Sequence, residues 1–94
     1  MDQLSTCDLY EAGYYLLNDC TLESVEINEL EKKLSCRLIL SGSNTGELQA
    51  TYFHGKAEVN LFDFRRMYSN LNRIIAKSKK EYKREADKKE EGIL

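Results

Sequence analysis

The sequence predicts an α+β fold of two layers, an antiparallel β-hairpin covered by an N-terminal helix and a long C-terminal helix, in the order α-β-β-α-α. Three observations carry this. Apolar residues recur at helical spacing between Leu9 and Cys20, the period falls to two between Leu22 and Leu40, and helical spacing returns after Asn60. At 94 residues the chain is one domain by size. A domain of that length buries only about 60 to 65% of the surface its unfolded chain exposes, which leaves little room for a deep catalytic cavity.

Ser5 and Thr6, with Asp8 three residues after Ser5, predict the start of the first helix, because their side-chain oxygens can meet free amides of the first turn. Leu9, Ala12, Gly13, Leu16, Leu17 and Cys20 then fall on one stripe. Gly13 on that stripe predicts a close approach by another element, since it has no side chain to hold a neighbour away. Tyr10, Tyr14 and Tyr15 are expected with rings inside and hydroxyls toward water.

From Leu22, Val25 and Ile27 alternate with Ser24, Glu26 and Asn28, and from Leu34 to Leu40 the even positions are apolar. The polar segment NELEKK between them predicts a turn, and therefore a hairpin whose two strands are both edges. SGSNTG, residues 41–46, is a loop. A short helix follows through GELQATYFH, capped by Asn44 or Thr45 and stopped by Gly55, with 56–59 extended.

Asn60 and Asp63 mark the start of the last helix. Phe64, Met67, Tyr68, Leu71, Ile74, Ile75, Ser78 and Tyr82 form its apolar stripe, and Lys89 breaks the pattern, so core contact ends near Ala86. The compact domain is thus placed at 5–78. Residues 79–94 are read as a charged helical extension fraying into a tail.

No basic start followed by an apolar run and a cleavage site is present, nor an apolar run of the roughly 18 residues that a membrane span needs, so the chain reads as cytoplasmic with no membrane partner. Cys7, Cys20 and Cys36 are odd in number and far apart, which argues against a disulfide framework and against zinc. The net charge of −2 is unevenly spread, with nine acids and three bases in residues 1–49 against seven acids and eleven bases in 50–94. That asymmetry points to an anionic partner or to attraction between the two halves.

The segments DLYEAGYYLL, 8–17, and YFHGKAEVNLFDFRRMYSNLNRII, 52–75, with their order of elements, resemble a family of small prokaryotic and phage-encoded domains of unknown function. The resemblance implies an N-terminal helix, a hairpin, an aromatic pair closely followed by glycine and a basic-flanked last helix. It also implies phage or mobile-element surroundings. It carries over no catalytic residue, and Phe53 stands where the family commonly has tryptophan.

An enzyme would need His54, the only histidine, beside a cysteine and an orienting acid. Nothing in the spacing unites them, so no catalytic residue, metal or cofactor is expected. Tyr52, Phe53 and His54 beside Lys56 could stack bases, but Leu48, Thr51 and Tyr52 form a helical stripe, so Tyr52 and Phe53 are expected in the core. The segment RRMYSNLNRIIAKSKKEYKR, 65–84, offers more. At about 100° per residue, Arg66, Arg73, Lys77, Lys80 and Arg84 fall in a band roughly 60° wide, nearly opposite the apolar stripe. The band is about 27 Å long, enough to follow several phosphates. Arg65, Lys79 and Lys83 widen it, and Glu81 is the only acid between Arg65 and Arg84.

Solvated helix faces usually mix signs, because Glu and Lys four residues apart add a few tenths of a kcal/mol. This face forgoes that. The sequence therefore predicts a non-enzymatic accessory module that contacts nucleic acid or a nucleoprotein through these residues, with Lys56 as a further contact. Two readings stand beside it: a protein-interaction or homodimerisation module pairing through a hairpin edge or the long helix, and an uninvolved wet face.

Overall fold

The computed structural model describes the backbone of residues 2–92 and the side chains of residues 2–86. Its elements are β1 (Asp2–Thr6), α1 (Leu9–Leu17), β2 (Thr21–Leu30), β3 (Lys33–Gly42), α2 (Thr45–Phe53) and α3 (Leu61–Gly92). The α+β class, the hairpin, and the order of helices and hairpin strands are as predicted. Ile93 and Leu94, the end of the extension expected to fray, lie outside the described residues.

One strand is added in front. β1 pairs antiparallel with β3, which makes the sheet β1-β3-β2 with β3 in the centre. Its register sets Leu4 opposite Leu40 and Thr6 opposite Leu38. DQLST has one large apolar residue and shows no period of its own; only its partner makes it a strand. The sheet therefore includes residues ahead of Ser5, and its edges are β1 and β2 instead of both hairpin strands.

The helix start moves accordingly. Asp8, not Ser5 or Thr6, is the N-cap of α1, its Oδ1 accepting the Tyr10 amide at 2.9 Å. Thr6 serves a different purpose: its Oγ1 accepts the Asp8 amide at 3.0 Å and its hydroxyl donates to Glu11 at 2.8 Å.

Along β2 and β3 the inward side is Val25, Ile27, Leu34, Cys36, Leu38 and Leu40, as the alternation predicts. Leu22 faces inward too, although it is three residues from Val25. An irregularity in the pairing between Leu22 and Ser24 absorbs the extra residue, Glu23. The opposite face of the sheet presents Ser24, Glu26, Asn28, Ser35 and Arg37 to solvent.

α1 packs against both α3 and the sheet, and α3 also reaches β2 directly. Glu11, Ala12, Gly13, Tyr14 and Tyr15 are all buried in succession, so the helix is enclosed on more than its expected stripe. Ala12, Tyr15, Leu38, Leu40 and Leu71 have essentially no exposure and bring α1, β3 and α3 into one core. At Gly13 a Cβ would stand 3.1 Å from the Phe64 ring, which is the close approach the glycine predicted. Leu48 and Tyr52 of α2 pack on the same core.

The tyrosines depart from expectation. Tyr15 turns its hydroxyl inward and donates to Glu11 at 2.6 Å, so the buried Glu11 carboxylate receives a donor on each oxygen. A carboxylate enclosed with α1 needs such donors, because an unpaired buried charge is costly. Tyr10 stays more than half exposed and stacks on Tyr68 with centroids 5.2 Å apart.

Gly55 ends the α2 region at φ +73, and Asn60 caps α3 by accepting the Asp63 amide at 3.1 Å, both as predicted. The hairpin turn is less comfortable: Glu31 and Lys32 both have positive φ, at 52 and 67. A two-residue turn of this hand suits glycine and asparagine, and other residues pay roughly 1 kcal/mol each there.

Replacing Glu31 by Asn together with Lys32 by Gly should raise unfolding stability by about 1 kcal/mol, read as a higher urea midpoint at unchanged slope. A second prediction concerns pH. Burial first, and then the bond to Glu11, hold the Tyr15 phenol well above its ordinary value. Above about pH 10 the unfolded chain releases that proton while the native state keeps it, so stability falls as pH rises. In Tyr15→Phe the alkaline decline should be shallower, though Tyr52, shifted in the same direction, retains part of it. At neutral pH the same variant should lose about 1 to 3 kcal/mol, because Glu11 loses a donor.

Candidate nucleic-acid interface

Packing of Phe64, Met67, Tyr68, Leu71, Ile75, Ser78 and Tyr82 against α1 and the sheet fixes the rotation of α3 about its axis, since each of these is buried or half-buried. The opposite face must then point outward. Arg66, Arg73, Lys77, Lys80 and Arg84 are all exposed along it, so the structure brings these five predicted site residues onto one continuous surface.

At the N-terminal end of that face is an open groove of about 480 Å³, lined by Phe62, Arg65, Arg66, Ser69, Asn70 and Arg73. Its lining combines three guanidinium groups, a hydroxyl, an amide and one aromatic ring. Guanidinium offers planar paired donors suited to phosphate, and the ring offers a stacking surface. Lys77, Lys80 and Arg84 continue the cationic line beyond the groove for nearly three further turns.

The flanks differ from expectation in one respect. Arg65 and Lys83 are exposed, but Lys79 is half-buried and close enough to β3 for its charge to favour the Cys36 thiolate. Lys79 therefore belongs to the sheet side of the helix. Lys56 is exposed in the segment before the Asn60 cap and is not among the residues lining the groove.

The aromatic group of α2 divides. Tyr52 is half-buried, its ring 6.0 Å from that of Tyr14 and its hydroxyl donating to Asp8 at 3.1 Å, which makes it part of the fold. Phe53 is 65% exposed and meets Tyr52 edge-on. His54 is exposed at the C-cap of α2, where its backbone amide donates to the Ala50 carbonyl. Among the described residues no hydrogen bond joins its ring to a thiol or carboxylate, and no group of three or more His, Cys, Asp or Glu could hold a metal ion. No helix among them is long and apolar enough to cross a membrane.

Phe62 is the residue that sequence reasoning passed over. It is 70% exposed and takes part in none of the aromatic pairs among the described residues. The signal was available. Two residues before the stripe begins at Phe64, Phe62 projects about 160° away from it and into the cationic band.

All three cysteines are free thiols, with Cys7 near enough to Cys36 for their charges to repel. Cys7 is exposed, Cys20 buried and Cys36 half-buried, and burial pushes the Cys20 and Cys36 thiols up. Because the thiolate is the reacting form, a disulfide reagent at about pH 8 should modify Cys7 rapidly and the other two slowly. In denaturant all three should react alike, which a stopped-flow thiol titration measures.

No family model, no curated protein and no solved structure matches this chain, so its functional reading rests on its own geometry and charge.

Proposed function

We propose that this chain is a non-enzymatic accessory binding module of a prokaryote, phage or mobile element, and that it contacts nucleic acid or a nucleoprotein through the outer face of α3. The observation that carries the reading is the exposed, one-signed line Arg66, Arg73, Lys77, Lys80 and Arg84. Each of these cations can neutralise a phosphate and release a counterion. The domain's overall charge is slightly negative, so the attraction comes from this face and not from the molecule as a whole.

The rival reading, self-association, has the open edges of β1 and β2 in its favour. Against it, β2 carries exposed Glu23, Glu26 and Glu29, and pairing two copies along that edge gathers like charges. The exposed apolar residues of α3 do not form a second stripe either. Leu61, Phe62 and Ile74 project in directions about 100° or more apart, which suits no single helix-to-helix seam.

Fluorescence anisotropy with labelled oligonucleotides at low salt tests the proposal. Five phosphate contacts predict a slope of log affinity on log salt of about −3 to −4 for a single strand. Changing Arg73, Lys77 and Lys80 to Glu should abolish binding while circular dichroism stays unchanged, since all three are exposed. Absence of salt-dependent binding by the wild type to DNA or RNA of either strandedness refutes the reading.

A further inference from the structure

We infer that the groove at the start of α3 takes an unpaired nucleobase on Phe62, so that the ligand of this face is a single-stranded and not a double-stranded nucleic acid. The inference rests on the reading of the basic face as a nucleic-acid contact and goes beyond it by naming the form of the ligand and an aromatic residue that selects it.

The reasoning starts from the cost of exposure. A phenylalanine 70% open to water loses hydrophobic stabilisation that a buried one has, and the lining of the groove joins it to three arginines and no other large apolar residue, the exposed Leu61 beside it projecting about 100° away. Its neighbours exclude an apolar protein groove as the natural cover, because docking one there strips water from Arg65, Arg66 and Arg73 without supplying counter-charge.

A polynucleotide supplies both needs at once. Its base face covers the ring and its phosphates meet the guanidinium groups. Bases of a duplex are already stacked on each other, so a ring on the side of a helix has no face to cover; bases of a single strand are free. Ser69 and Asn70, both about two turns beyond Phe62, present a hydroxyl and an amide in the same groove for the polar edge of the next nucleotide along the strand. Arg66, about one turn beyond Phe62, and Arg73, about three turns beyond it, both lie on its C-terminal side, so the phosphates that follow the stacked nucleotide run along the cationic line toward Lys77.

The test compares a labelled oligothymidylate of about twenty nucleotides with its duplex, using the full chain and the variants Phe62→Ala, Phe62→Trp and Arg73→Glu. Wild type should favour the single strand. Phe62→Ala should weaken single-strand binding roughly tenfold with the salt slope unchanged, and should leave duplex binding as it was. Phe62→Trp should restore the single-strand affinity, whereas Arg73→Glu should weaken both forms and flatten the slope. Because Phe62 is outside the core, unchanged circular dichroism is expected throughout. Equal or tighter duplex binding, or indifference of the single strand to Phe62→Ala, overturns the inference while leaving the basic-face reading intact. No salt-dependent binding to either form overturns both.

Discussion

Everything on the outside of this protein depends on how closely α3 lies against α1 at Gly13. The Phe64 ring occupies the space that a side chain would fill, and Leu71 follows two turns later into the same core. Together they fix both the distance and the rotation of α3. A helix held in that rotation has no freedom in what it shows to solvent, so the cationic line and the Phe62 groove follow from a packing contact on the other side of the same helix.

The enclosed position of α1 explains a second peculiarity. With the sheet on one side and α3 on another, five successive residues of α1 are buried, and one of them is a carboxylate. Thr6 from the end of β1 and Tyr15 from the next turn each give Glu11 a hydrogen bond. The cluster links the N-terminal strand to the central helix by polar contacts, in a domain too small to rely on apolar burial alone.

Elements with a long internal period were legible in the sequence: α3, the hairpin and its inward positions all emerged from spacing. Elements defined by a partner were not. β1 is five residues without a pattern, and only its register with β3 reveals it. The inward hydroxyl of Tyr15 depends on Glu11 being buried beside it, which stripe analysis cannot express because Glu11 lies off the apolar pattern. The same habit concealed Phe62. Sorting residues by type into apolar core and charged surface assigns an aromatic to the core, although the helical projection already sets Phe62 in the cationic band, where its ring is exposed. The Tyr52 ring, by contrast, is committed to Tyr14 and Tyr15.

β3 occupies the centre of the sheet, yet its two neighbours join it on very different terms. β2 is connected to it by a two-residue turn, whereas β1 reaches it across the whole span from Asp2 to Gly42. Closing the longer span costs more chain entropy, and only five residues of ladder repay it. The sheet is therefore cooperative on one side and detachable on the other. In native-state hydrogen exchange, amides of β3 bonded toward β1 would open before those bonded toward β2. Detachment would also withdraw the Thr6 hydroxyl from Glu11, so the earliest breathing motion of the fold reaches the buried carboxylate at its centre.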